Sequence, residues 1–179
     1  LKVAAENAQK RQETAPASSH STGGFDLGLS FESDYNDHFE TPVDAYRDIL
    51  PALQCLSSSL HVPLRDLSLF DPYFCQGSMV QRLQQLGLSN VINRNRDFYK
   101  DVRTKQLPAY DVLVTNPPYS ADHKQRLLDF LATADKPYAL LLPAYIATKA
   151  YWSAFSSGRQ VIYLCPPAKY QYEHPEGTG

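Results

Sequence analysis

The chain has few cysteines and no arrangement of them. Cys55, Cys75 and Cys165 are the only three in 179 residues, far apart and without a Cys-x-x-Cys pair. That argues against a disulfide framework and a cysteine-rich metal site. It favours a reducing intracellular compartment: cytoplasm, nucleus or organelle matrix. His20, His38, His61, His123 and His174 share no ligand spacing, so no metal is expected. No apolar run approaches the roughly 20 residues that span a bilayer. The best is the short block 138–142, and no membrane association is expected. No charged-then-apolar signal opens the chain, and no repeat, phosphate-binding Gly-x-x-x-x-Gly-Lys loop or nucleophile-elbow serine occurs in it. Excess charge is missing too. The net value of -2 leaves any nucleic-acid contact to local patches.

What is present suits one domain and a tail. With 43% hydrophobic and 20% charged residues, the chain can bury a core without staples. Residues 1–33 read as a flexible polar tail, with a short helix over 2–13, and residues 34–179 as the folded domain. The chain begins at Leu1 rather than Met and is expected to be a segment of something longer, with protein partners through flanking regions.

Order is expected from "DYNDHFETP" onward. Thr41, Pro42 and Asp44 form a helix-start pattern: a cap, a proline in the first turn and an acidic box residue. Val43, Tyr46, Ile49, Leu50 and Leu53 then share a helical stripe, which Pro51 should kink or restart. Residues 67–70 read as a strand ending at Asp71. A helix follows with Met79, Val80, Leu83 and Leu86 on one face and Gly87 as its stop. Val91 and Ile92, residues 110–115, residues 138–146 (a buried strand running into a loop) and residues 160–166 read as further strands. Residues 123–134 and 150–157 read as helices. Strands alternating with helices predict an α/β fold: a mostly parallel sheet with helices on both faces. Ligands of such sheets sit beyond the carboxyl ends of the strands.

Two turns lie there. The first, "LFDPYFCQGS", places Asp71 at a strand tip and Gly77 before a helix. A carboxylate takes hydroxyl or ammonium donors, and glycine lets backbone approach a ligand. On local grounds an ordinary turn with Asp71 as a helix cap explains it equally well. The second is "DVLVTNPPYS". Pro117 and Pro118 hold the backbone extended, which orients the Asn116 oxygen and the Pro117 carbonyl toward one point. Two such acceptors bind an amino group and free its lone pair, while Tyr119 stacks on the flat group carrying it. The alternative is a proline-rich turn with Asn as a turn former.

"DVLVTNPPYS" resembles motif IV of the class I S-adenosylmethionine-dependent methyltransferases that modify exocyclic amines or amides. "LFDPYFCQG" stands where that family has Asp-Pro-x-x-Gly-x-Gly, "DHFETPVDAY" is similar to its Thr-Pro segment, and "NRDFYKD" to its acidic-aromatic motif III. The resemblance covers roughly residues 34–172. It implies a Rossmann-like methyltransferase fold closed by a C-terminal hairpin, of which only the strand 161–165 is visible. It implies S-adenosyl-L-methionine as cofactor, held by Thr41, Pro42, Asp71, Tyr73, Gly77, Asn93, Asp97 and Phe98. Asn116, Pro117, Pro118 and Tyr119 would be the catalytic loop. Two positions depart from the pattern: Cys75 replaces the first motif-I glycine, and Asn93 stands where an acidic residue binds the ribose.

The implied activity is methyl transfer to a planar amino nitrogen, adenine in RNA or DNA, with RNA placed ahead of DNA. Two alternatives stand beside it: a protein glutamine or side-chain amide N-methyltransferase, and a non-catalytic scaffold in a ribonucleoprotein assembly. Arg94, Arg96, Lys100, Arg103 and Lys105 outnumber Asp97 and Asp101 by three charges. A solvated face is the default for such a stretch and a phosphate-contacting patch the alternative. Tyr170 and Tyr172 alternate near the end. They suit either stacking on a flipped base or packing on their own sheet.

Overall fold

A computed structural model describes residues 40–120 and 122–172. The polar tail 1–33, its short helix, the segment 34–39 and His174 lie outside the described residues.

Helix α1 (Val43–Leu60) opens the fold. Strand β1 (Leu69–Asp71), helix α2 (Ser78–Gln85), β2 (Val91–Asn93), α3 (Phe98–Thr104), β3 (Val112–Thr115), α4 (His123–Thr133), β4 (Tyr138–Leu140) and α5 (Ala150–Ser156) follow. The strands form one four-stranded sheet in the order β2-β1-β3-β4, and every pairing is parallel.

Side chains alternate across a strand, and here the alternation separates two cores. Leu69, Val112 and Val114 pack with Tyr46, Leu53, Met79 and Leu83, so α1 and α2 cover that face. Phe70 and Leu113 pack with Phe98, Leu127, Leu131, Trp152 and Phe155, so α3, α4 and α5 cover the other. The fold is α/β and Rossmann-like. Leu67, Leu69, Leu83, Leu113 and Leu127 are fully buried. Each such side chain contributes about 1.5–3 kcal/mol relative to exposure.

Several local expectations change. Thr41 does not cap α1: Pro42 is the N-cap residue and no side chain caps there, while Asp44 pairs with Arg47 instead. The Thr41 hydroxyl is engaged by Tyr46. Pro51 does not restart the helix, which runs through it. Pro51 and Arg47, whose carbonyl loses its partner there, both face solvent, and water can serve that carbonyl. Gly87 does end α2, at φ +83°, with Leu88 N–H returning to the Leu83 carbonyl at 3.0 Å. Strands β1 and β3 start two residues later than their apolar runs. Strand β4 is half-buried rather than buried, because it lies at the sheet edge.

The largest correction concerns residues 160–166, which form no strand. Among the described residues nothing pairs with β4 beyond β3, so this apolar segment has no ladder to join. Ile162, Tyr163 and Leu164 are 76%, 61% and 56% exposed. Strand propensity without a neighbour does not make a strand.

Candidate active site

Strands β1 and β2 advance toward one edge, and the chain then crosses back to place β3 on the other side of β1. That reversal is the switch point at which open α/β sheets bind ligands, beyond the strand carboxyl ends. Asp71 ends β1 and Thr115 ends β3. The Thr115 hydroxyl donates to Asp71 Oδ1 at 2.6 Å. The two turns singled out in the sequence therefore begin side by side.

Asp71 is buried, and its Oδ1 also accepts the Tyr73 N–H at 3.0 Å. Burial raises its carboxyl from 3.8 to about 7 against the two hydrogen bonds, and the nearby Glu40 charge adds to the rise. Asp71 is thus poised between charge states near neutral pH. The turn then runs to α2 through Gly77, at φ +79°, where a Cβ would lie 3.0 Å from the Phe74 ring. Glycine meets both demands.

Glu40 holds this turn from outside, a role the sequence reading missed. Its carboxylate is buried and accepts the Gln76 N–H at 2.9 Å and the Ser78 hydroxyl. The Cys75 thiol also bonds to it, and burial together with the Glu40 charge pushes that thiol up to about 12. Glu40 directly precedes the Thr-Pro pair, but only the fold shows that it meets residues 36 positions away. Arg82 of α2 donates to the Thr41 carbonyl, which ties the Thr41–Pro42 segment to the same turn.

Asn93 closes the turn from the β2 side. Its Nδ2 donates to the carbonyls of Asp71 and Tyr73, both at 3.2 Å. A carboxylate could donate neither bond. Asn93 thus has a local structural role in this turn.

Asp97 and Phe98 occupy structural positions. Asp97 caps α3 by accepting the Lys100 N–H at 2.9 Å. Phe98 is buried in the core, with its ring 5.7 Å from that of Tyr73. The Tyr73 hydroxyl meets the Tyr99 hydroxyl at 2.6 Å, and Tyr99 reaches the His123 carbonyl at 3.1 Å. The Arg126 guanidinium lies 3.6 Å from the Tyr99 ring centre. Within this cluster His123 Nδ1 is buried and has no hydrogen-bond partner among the described residues.

In the second turn Pro117 is buried and Asn116 and Pro118 are half-buried. The Tyr119 hydroxyl donates to Asn116 Oδ1 at 2.7 Å. Lys124, buried in α4, donates to the Tyr119 carbonyl. Of the C-terminal tyrosines, Tyr170 donates to Asp48 Oδ2 of α1 at 2.6 Å, and the Tyr172 hydroxyl lies close enough to that of Tyr119 for each to influence the other's titration. Tyr170 and Tyr172 do not pack on the sheet as a hairpin.

No protein-family model matches the chain, and no curated protein or solved structure matches it either.

The basic stretch is partly neutralised. Arg96 grips Asp101 with two bonds, at 2.7 and 2.6 Å, and holds that carboxyl below the usual carboxylate range. Arg94, Lys100, Arg103 and Lys105 face solvent beyond β2. Among the described residues no helix is long and apolar enough to cross a membrane, and no group of three His, Cys, Asp or Glu side chains could hold a metal.

Proposed function

We propose that this chain binds S-adenosyl-L-methionine and is a methyltransferase acting on a planar amino nitrogen, with adenine in RNA or DNA as the lead acceptor and RNA ahead of DNA. The observation that carries this reading is the junction at the switch point. Asp71 and Asn116 leave adjacent parallel strands, bridged by the 2.6 Å bond from Thr115.

The residues present suit such a cofactor. Glu40 and Asp71 set two carboxyl groups about one turn, favourable for a ligand carrying ammonium and sulfonium charge. A cation there would draw Asp71 back toward its ionised form. Gly77 keeps the backbone open, and Asn93 fixes the turn with its amide nitrogen. S-adenosyl-L-methionine, when bound, supplies a methyl group on a positively charged sulfur. Asn116 Oδ1 and the Pro117 carbonyl would accept the two amine hydrogens and aim the nitrogen lone pair. Tyr119 would stack on the base. Held in this way, the amine would be oriented for methyl transfer and would release one proton to solvent. Tyr170 and Tyr172 would contact the acceptor.

A non-catalytic scaffold is the second reading, and a specific observation favours it. The Gln76 N–H and the Ser78 hydroxyl, donors at the head of α2, are already taken by Glu40. The test is transfer of labelled methyl from S-adenosyl-L-methionine to separated RNA, DNA and protein fractions, with calorimetry of cofactor binding alongside. Label in nucleic acid is expected. Label in protein alone would move the acceptor to side-chain amides, and absence of binding heat would leave the scaffold.

A further inference from the structure

Helix α4 buries Lys124, Leu127, Leu128 and Leu131, spaced as one helical stripe. Three are leucines. The first is a lysine, only 8% exposed, where the stripe calls for an apolar side chain. Lysine is rarely buried, and a cation in the first turn of a helix opposes the helix dipole. Both effects weigh against Lys124 on grounds of folding alone. A residue that breaks the local pattern in this way is expected where function requires it. The ammonium touches Tyr119 twice. Lys124 Nζ donates to the Tyr119 carbonyl and lies over the Tyr119 ring, 5.7 Å from its centre. A cation is attracted to the face of an aromatic ring. The Tyr119 hydroxyl is anchored separately: it donates to Asn116 Oδ1 at 2.7 Å and reaches the Leu141 carbonyl at 3.4 Å. Those contacts fix the tip of the ring but leave rotation about its long axis open. The contact over the face closes that freedom.

We propose that Lys124 is the positioning residue for Tyr119: its ammonium covers one face of the ring and turns the other toward a flat acceptor. This rests on the stacking role of Tyr119 proposed above. An acceptor amine that takes Asn116 Oδ1 removes the nearer anchor of the Tyr119 hydroxyl. The Lys124 contacts are made to the carbonyl and the ring face, so they survive that exchange and hold the ring while the base stacks on it. The ring is 39% exposed, which leaves it within reach of a ligand. A stacking partner held in place beforehand spares the ordering cost of binding.

The test uses the full chain without cofactor, with 9-methyladenine as the probe. The base is titrated against wild type, Lys124→Met and Lys124→Arg. Binding is followed at the Tyr119 amide and ring signals by NMR, and stability is read by urea unfolding. Methionine completes the apolar stripe, so the unfolding midpoint should hold or rise. The same variant should bind 9-methyladenine about three- to tenfold more weakly than wild type. Arginine, which keeps a charge beside the ring, should recover part of that loss. A methionine variant that loses stability or fails to fold would assign Lys124 to the fold and overturn the proposal. Wild-type binding in that variant, no recovery with arginine, or no change at Tyr119 in any form would overturn it equally. The two readings can fail apart. Base binding without methyl transfer would remove the enzyme and leave Lys124 its role. Methyl transfer performed as well by Lys124→Met as by wild type would keep the enzyme and remove that role.

Discussion

The turn after β1 is held by residues from distant parts of the chain, whereas the turn after β3 is closed mainly by near neighbours, Tyr119 and Lys124. Glu40, Asn93 and Thr115 fasten residues 71–78 with buried or part-buried bonds. Asn116 is bonded by Tyr119, three residues on and 39% exposed. A binding pocket that must hold a cofactor through many encounters gains from the first plan, since preorganised groups need no rearrangement. A pocket that must admit and release a large acceptor gains from the second. The difference teaches that the two turns should respond differently to substitution: stability should suffer more at the first and, on the proposed function, methyl transfer more at the second.

The sharpest way to break that comparison is Asp71→Asn. The folded pKa of Asp71 lies above its unfolded value, so its favourable contribution is complete below about pH 4 and is lost as pH rises toward 7. A shift from 3.8 to about 7 corresponds to a loss on the order of 4 kcal/mol across that window. The neutral amide has no such dependence. Unfolding curves from pH 4 to pH 8 should show the variant gaining on wild type as pH rises, while it binds cofactor less well. A difference between them that stays flat with pH would show that Asp71 is not the strained group described.

Asn116→Ala tests the other turn. Methyl transfer should fall about 10²- to 10³-fold, the usual cost of one preorganised polar group at a reacting centre. Stability should stay within about 0.5 kcal/mol, as for other changes away from the core. Cofactor heat should be retained; losing it together with transfer would assign Asn116 to the cofactor instead.

Glu40→Ala has the smallest expected effect of the three. The Gln76 N–H and Ser78 hydroxyl lose their partner, at a cost of about 1–3 kcal/mol in urea unfolding. Exchange at Gln76 should quicken while the signals of residues 116–119 stay in place. Equal loosening of both turns would erase the contrast between them.

Much of this was legible from local pattern. The apolar stripes of α1 and α2, the stop at Gly87, and the pairing of a strand tip with Asp71 and of another with Asn116 all follow from periodicity and turn chemistry. What was not legible depends on distant partners. Thr41 fits a capping pattern, but its hydroxyl goes to Tyr46. Asn93 reads as a weakened ribose contact until its two carbonyl partners are known. The contacts of the Phe98 ring with Phe70 and Phe130 were likewise not visible in the sequence. Glu40 and Asp48 carry no signal in sequence, because each acts on a residue far along the chain.

The unpaired stretch 160–165 has a consequence for anyone handling the protein. "QVIYLC" carries no charge and no proline, is rich in β-formers, and presents Ile162, Tyr163 and Leu164 to solvent. Short neutral segments of this kind template stacking between copies. The behaviour of a sample of this chain will therefore be set by how concentrated it is. Association through this strip is expected to grow with concentration. A charged residue at Ile162 is the natural gatekeeper to try when preparing material for study.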